Sequence, residues 1–270
     1  MGVFMKIAVC MSGQLRQWEM AKENQKWFWE TSKGLGVTQI DYFIHTWNYS
    51  GDREGVSQPY ITRDISQEEF DKVVDWYKPK KYMFDDKQPD YFLHNDHWSS
   101  LFYSLSQSVM LKRQYEIEND FEYDIVIKSR PDVVFDPIYH FSWEHLENNL
   151  LYTTHGGIME HEFGMFNVND CVFYSNSYTM DLMIPMYFYR QKMLDERNML
   201  DNKLYTGPLG PGVLMNEYFR DYGITAQSIQ PNRSNFRETL LKLGCPNDLN
   251  LFEHNDFHKM EKYFREWYTK

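Results

Sequence analysis

The order of apolar and polar positions divides the chain into short hydrophobic runs separated by amphipathic stretches. Lys6–Met11 (KIAVCM) is mostly apolar and predicts a strand; Ser12-Gly13-Gln14 interrupts it, and from Leu15 to Thr31 apolar residues fall at helical spacing. Gly34 and Gly36 close that helix, and Gln39–Trp47 (QIDYFIHTW) predicts a second strand running out into His45-Thr46-Trp47-Asn48. Asn48–Arg63 is polar, carries Gly, Ser and Pro, and reads as a loop over the strand ends. Ser66 followed by Glu69 is a capping box within a helix over Asp64–Tyr77, with Phe70, Val73, Val74 and Tyr77 on one face and Pro79 as its stop. Lys81–Phe84 is a third strand and Asp85–Asp96 a polar connection. Trp98–Asn119 is a helix expected to pack beneath the strand that follows it.

That strand is the centre of the pattern. In Phe121–Pro137 (FEYDIVIKSRPDVVFDP), Tyr123–Lys128 reads as a strand covered on both faces, as in a parallel sheet. It runs into a polar corner, Ser129-Arg130-Pro131-Asp132, and then into a second apolar run, Val133–Phe135. Further on, Asn149–Thr153 and Asn169–Tyr174 predict strands with a loop at His155–Phe166 between them, and a helix begins near Ser177 and restarts after Pro185. Tyr205–Gly212 (YTGPLGPG) is a loop, Val213–Tyr222 a helix ending at Gly223, Ile224–Ile229 a last strand, and Arg237–Lys270 a polar, aromatic tail. The β-α-β-α-β-α-β order predicts a single α/β, Rossmann-like domain with a mostly parallel central sheet flanked by helices and a mixed second half. Open α/β sheets bind ligands where their strands end, so Arg130 and Asp132 mark an expected metal and phosphate site.

Composition narrows the partners. A net charge of −11 and a pI near 5.3 argue against a surface built for nucleic acid or anionic lipid, both of which need concentrated Lys and Arg. Cys10, Cys171 and Cys245 are odd in number and far apart, which fits neither a disulfide framework nor a CxxC metal pattern and points to a reducing cytoplasm. No run approaches the roughly 18 to 20 apolar residues of a membrane span, and Met1–Lys6 leads into a strand without a signal-peptide core.

Three stretches, Ser12-Gly13-Gln14-Leu15-Arg16, Phe43-Ile44-His45-Thr46-Trp47 and Lys128-Ser129-Arg130-Pro131-Asp132-Val133, resemble the GT-A type nucleotide-sugar glycosyltransferases. The likeness is to bacterial and phage proteins that open with a strand, SGQ and Arg; it covers the first half, and the second half matches in its order of elements. It implies a GT-A fold and a hexosyltransferase-like enzyme. Residues 1–137 would bind the nucleotide-sugar donor, and residues 138–270 a glycan, lipid-linked saccharide or other hydroxyl acceptor. In such enzymes the central strand ends in a DXD motif whose carboxylates hold Mn²⁺ or Mg²⁺ against the donor diphosphate. Here Arg130 stands at the first Asp, so the resemblance carries over only Asp132 as a metal ligand, with His254 or His258 as the C-terminal imidazole that completes the shell in some members.

The chemistry explains why these residue types are wanted. A diphosphate leaving group gains charge as the glycosidic bond breaks, and a divalent cation or an Arg/Lys clamp stabilises it. Arg130 is a candidate for that clamp. Ser12, Gly13 and Gln14 form a corner whose backbone N–H groups can approach a phosphate, with Arg16 alongside. His45 and Trp47 are candidates to hydrogen-bond and stack on the nucleotide. An inverting transfer also needs a base for the acceptor hydroxyl, and Glu217 and Asp170 are the candidates. Each has a plainer alternative: a tight βα turn at Gly13, core packing for Trp47, turn capping for Asp132 and Asp170, and solvated positions for Glu217, His254 and His258. Two other functions stay open at this point: a non-catalytic nucleotide- or carbohydrate-binding module, and a nucleotidyltransferase on the same sheet, which would release pyrophosphate.

Overall fold

In chain order the elements are β1 (Met5–Ser12), α1 (Trp18–Ser32), β2 (Val37–Trp47), β3 (Tyr49–Asp52), β4 (Ile61–Asp64), α2 (Gln67–Tyr77), β5 (Lys81–Asp85) and α3 (His97–Asn119). They continue with β6 (Ile125–Ser129), β7 (Val133–Phe135), β8 (Leu150–Thr153), β9 (Gly156–Gly157), β10 (Asn167–Val168), β11 (Phe173–Ser175), α4 (Ser177–Asp181), β12 (Thr225–Ser228) and β13 (Leu240–Lys242). The structure, a computed structural model, describes residues 5–16, 18–32, 36–52, 61–86, 97–135, 146–153, 156–157, 167–168, 171–189, 215, 218–228 and 240–242.

A seven-stranded sheet in the order β12-β8-β11-β6-β1-β2-β5 forms the middle of the molecule. β5, β2, β1 and β6 run parallel, so their C-terminal ends share one edge. β11 then runs antiparallel to both β6 and β8, while β12 is parallel to β8. The sheet is therefore parallel in its first half and mixed in its second, as the pattern predicts.

Alternation along β1 shows why these strands read as continuous apolar runs. Ile7, Val9 and Met11 join Phe28 and Trp29 of α1 and Phe70, Val73 and Tyr77 of α2 on one face; Ala8 and Cys10 join Phe102, Leu105 and Val109 of α3 on the other. Both faces are dry, so neither needs polar residues. The capping box forms: Ser66 is the N-cap of α2, and its Oγ accepts from the Glu69 N–H at 3.1 Å. Lys78, at φ 48°, closes that helix just before Pro79. Gly223, at φ 66°, ends the helical turn at 218–221 in the left-handed conformation that glycine adopts freely.

Several expectations need correction. α3 packs mainly across β1 and β2 and reaches β5, while its Phe102, Leu105 and Val109 also share a core cluster with Tyr123 and with Val126 of β6, because the sheet order puts β1 between β6 and β2. The stretch expected as one polar loop after β2 carries the antiparallel pair β3–β4, in which Tyr49 faces Asp64. The expected loop at His155–Phe166 contributes Gly156–Gly157, which pairs antiparallel with Asn167–Val168. The run Val133–Phe135 leaves the central sheet and pairs with Leu240–Lys242, a strand inside what reads as a polar tail.

Buried charge ties the two halves together. Lys112 of α3, fully buried, donates to Glu116 Oε2 at 2.9 Å, to Asp181 Oδ1 at 2.7 Å and to Ser177 Oγ. Glu116 Oε1 in turn accepts from Ser177 Oγ at 2.7 Å and from the Tyr123 N–H at 2.9 Å, just before β6 begins. The cluster pins α4 and the entry to β6 onto α3.

Candidate active site

Register brings three separate corners to the shared edge. Ser12 pairs with His45, and Met11 pairs with Ser129, so the ends of β1, β2 and β6 stand side by side. The Gly13 N–H extends the β1–β2 pairing by donating to the His45 carbonyl at 3.3 Å. Gly13 itself sits at φ 125°, where a side chain is strained, and a Cβ there would lie 4.0 Å from Cζ of Arg130. The turn after β1 and the corner after β6 are thus immediate neighbours. Arg16, half-buried, has its Nε donating to Gln14 Oε1 at 2.9 Å.

The corner after β6 is rigid. Arg130 and Asp132 form a two-point pair, Nε to Oδ1 at 2.8 Å and Nη2 to Oδ2 at 2.7 Å, with Asp132 fully buried and the Arg130 side chain 9% exposed. From below, Gln25 of α1 donates its side-chain amide to the carbonyls of Arg130, Pro131 and Val133 at 2.9, 3.2 and 2.7 Å. Asn24 adds a closed pair with Phe135, donating to its carbonyl at 2.8 Å and accepting from its N–H at 2.6 Å. Backbone polar groups at such a corner need partners once buried, and α1 supplies them.

His45 is completely buried, so it does not itself face a ligand. Burial pushes its pKa below the ordinary value, which favours the neutral ring; Nδ1 lies 2.8 Å from Ser104 Oγ and Nε2 hydrogen-bonds Asp85 Oδ2 at 3.1 Å. That bond, with a smaller contribution from the Tyr103 hydroxyl at 3.2 Å, holds the Asp85 carboxyl below the usual carboxylate range. Asp85 ends β5 on the same edge, and its side chain is 28% exposed. The group presented at this end of the sheet is therefore Asp85, with His45 behind it. Trp47 is also buried, packed edge-on against His45 at 4.9 Å and tilted against Tyr103 at 5.4 Å, so the core-packing alternative describes it.

Both Asp132 oxygens accept from the Arg130 guanidinium, and the residue is fully buried. Among the described residues, no group of three or more His, Cys, Asp or Glu is placed to hold a metal ion. Glu217, Asp170, His254 and His258 lie outside the described residues. Sequence reasoning passed over Asp85, Ser104 and Tyr103 around His45, and Asn24 and Gln25 beneath the corner. The one signal for Asp85 was its place at the end of a strand; the helix residues carried none.

No family model matches the chain, and no curated protein matches it. Solved structures do. The chain is similar to the glycosyltransferase GlyE of Streptococcus pneumoniae TIGR4 (14% identity, TM-score 0.39), covering 84% of this chain and 46% of GlyE, about half of that protein's length. It is also similar to the galactosyltransferase LgtC, solved with donor and acceptor sugar analogues (13% identity, 96% of each chain, TM-score 0.45). A third is a glycosyltransferase involved in glycosylation of the major capsid of PBCV-1 (11% identity, 87% of this chain, 97% of that one, TM-score 0.34). All three are glycosyltransferases. No helix of the described residues is long and apolar enough to cross a membrane.

Proposed function

We propose that this protein is a glycosyltransferase that moves a sugar from a nucleotide-sugar donor to a hydroxyl of a glycan or lipid-linked acceptor. The observation that carries the reading is the meeting of the Ser12–Arg16 turn, the end of β2 and the Arg130 corner at one edge of the parallel strands. These are the three stretches on which the resemblance rests, and they are 30 to 120 residues apart in sequence, roughly, yet adjacent in space. The Ser12–Arg16 turn is the place we assign to the diphosphate, with the backbone N–H groups before α1 and the Arg16 guanidinium as the candidate ligands. Glu217 and Asp170 are our candidates for the base that deprotonates the acceptor. We assign the protein to the cytoplasm on its three scattered cysteines, of which Cys10 and Cys171 are free thiols.

The test is release of nucleoside diphosphate from a panel of UDP-, GDP- and ADP-sugars, first to water and then to added saccharide acceptors. Slow release with one donor, accelerated by an acceptor, is the expected result. Absence of both release and binding for every donor sinks the proposal, and binding without release would leave a non-catalytic module. If Glu217 or Asp170 is the base, Glu217→Gln or Asp170→Asn lowers kcat by about 10² to 10⁴ while donor binding stays.

A further inference from the structure

Resting on the glycosyltransferase reading, we propose that Asp85 anchors the nucleoside part of the donor, its carboxylate accepting a hydrogen bond from a sugar hydroxyl or a base N–H, and that buried His45 is its positioning residue. The first observation is how the carboxylate is held. Nε2 of His45 lies 3.1 Å and the Tyr103 hydroxyl 3.2 Å from the same oxygen, Oδ2, while no hydrogen bond reaches Oδ1 among the described residues. The Asp85 side chain, at the end of β5, is 28% exposed, whereas that of His45 is not exposed at all. One oxygen is thus fixed from within, and the carboxylate keeps acceptor positions within reach of solvent.

The second observation is what stands behind that hold. Nδ1 of His45 lies 2.8 Å from Ser104 Oγ, so both ring nitrogens have partners, as buried polar atoms require. Trp47 and Tyr103 meet the imidazole edge-on at 4.9 and 5.4 Å, which keeps the ring from turning. An ionised carboxylate only accepts, so its bond to His45 needs the proton on Nε2. That bond is the main reason the Asp85 carboxyl lies below the usual carboxylate range. The backbone is fixed as well, since the Asp85 carbonyl accepts from the Asn48 N–H at 2.8 Å. A fixed, ionised acceptor favours a ligand group that donates and repels a phosphate.

The third observation is placement along the edge. Ser12 pairs with His45 and His45 with Met83, so Asp85 stands two residues, about 7 Å, beyond the level of Ser12. β5 lies two strand spacings, about 10 Å, from β1. Arg16 and Arg130 follow β1 and β6, whereas Asp85 closes β5 and Asp86 follows it. With the diphosphate at the Ser12–Arg16 turn, the uncharged nucleoside crosses the end of β2 to reach Asp85, and the carboxylate keeps the phosphates toward the basic end.

Calorimetric titration of UDP, GDP and ADP, with and without millimolar Mg²⁺, finds the nucleotide that wild type binds. Asp85→Ala should weaken that nucleotide about tenfold or more, the usual worth of a hydrogen bond to a charged group, and Asp85→Asn, which keeps the shape, should fall between the two. Its 2′-deoxy form, its 3′-deoxy form and a form methylated on the base N–H separate the sources. The analogue lacking the donor should bind wild type as weakly as Asp85→Ala binds the parent, with no further loss when the two changes are combined. Unchanged or tighter binding by Asp85→Ala, or a loss that none of the three analogues reproduces, overturns the proposal and leaves the transferase reading standing. His45→Gln should weaken the same nucleotide about threefold or more, and should have no effect in the Asp85→Ala background. Without nucleotide, carbon-13 NMR should show the Asp85 carboxyl of His45→Gln titrating nearer the ordinary carboxylate range. An unmoved Asp85 titration, or equal losses with and without Asp85, assigns His45 to packing alone and overturns its positioning role. If none of the three nucleotides binds wild type, the transferase reading and the Asp85 role fall together, and the NMR titration still decides His45.

Discussion

Replacing Gln25 by leucine tests whether the corner after β6 is held from α1. The side chain is fully buried, and its amide nitrogen lies 2.9, 3.2 and 2.7 Å from three carbonyl oxygens. An amide has two hydrogens, so these acceptors share about two hydrogen bonds, and Tyr77 contributes one more at 3.1 Å. The Arg130 carbonyl keeps a second, longer donor in the Val133 N–H at 3.4 Å; for the Pro131 and Val133 carbonyls Gln25 is the side-chain donor identified. Two lost bonds at about 1 kcal/mol each, plus part of the roughly 1–3 kcal/mol cost of a stranded buried carbonyl, give about 3–4 kcal/mol. At about 2–4 °C per kcal/mol for a chain of this size, Tm should fall by about 6–16 °C. Urea unfolding and thermal melts measure this directly, and nucleoside diphosphate binding should weaken as Arg130 loses its seat. Gln25→Glu sharpens the test, since a carboxylate aimed at three carbonyls is worse than leucine once ionised. Its penalty should grow as pH rises above the ordinary carboxylate range and shrink in acid. A cost under about 1 kcal/mol for Gln25→Leu, or a Glu variant no worse than the Leu variant at neutral pH, would refute the reasoning.

Other outcomes follow from the buried groups. Lys112→Met removes the buried cation between Glu116 and Asp181 and should cost about 3–5 kcal/mol in urea unfolding, while Lys112→Met with Glu116→Gln should recover part of that loss. Because burial depresses the pKa of His45, the unfolded chain binds a proton that the folded chain refuses. Wild type should therefore lose stability as pH falls below about 6.5, and His45→Gln should flatten that part of the melting profile. The Cys10 thiol is raised well above its usual pKa by burial, so mass spectrometry after thiol labelling of the native protein should find Cys171 modified and Cys10 untouched until unfolding. Equal labelling rates at the two positions would contradict the packing around β1.

The parts of the fold that were legible in the sequence are those set by local rules. The apolar runs, the Ser66–Glu69 cap and the glycine stop at Gly223 each act within a few residues, and each appears where the pattern puts it. Strand ends were legible for the same reason, and Ser12, His45 and Arg130 lie together because parallel register follows from the β-α order. What escaped were side chains whose partners lie far along the chain. Asn24 and Gln25 look like solvated positions of a helix, yet their partners are more than 100 residues away. Lys112 and Glu116 show the spacing of a surface ion pair, and only the packing of α4 onto α3 buries them. His45 and Trp47 were placed correctly at an edge, but depth within a sheet is a tertiary property, and both lie beneath the surface that Asp85 reaches.

The pairing of β7 with β13 has a consequence for the order in which the protein can be finished during synthesis. The strand that follows Asp132 receives its partner from Leu240–Lys242, so the corner is completed by residues translated more than 100 positions after it. Contacts that close so long a loop form late and slowly. On the ribosome, β1, β2, β5 and β6 can align while the partner of β7 is still unmade, leaving that strand's edge open until Leu240–Lys242 has emerged. A nascent chain stalled before residue 240 would carry its sheet without a finished site.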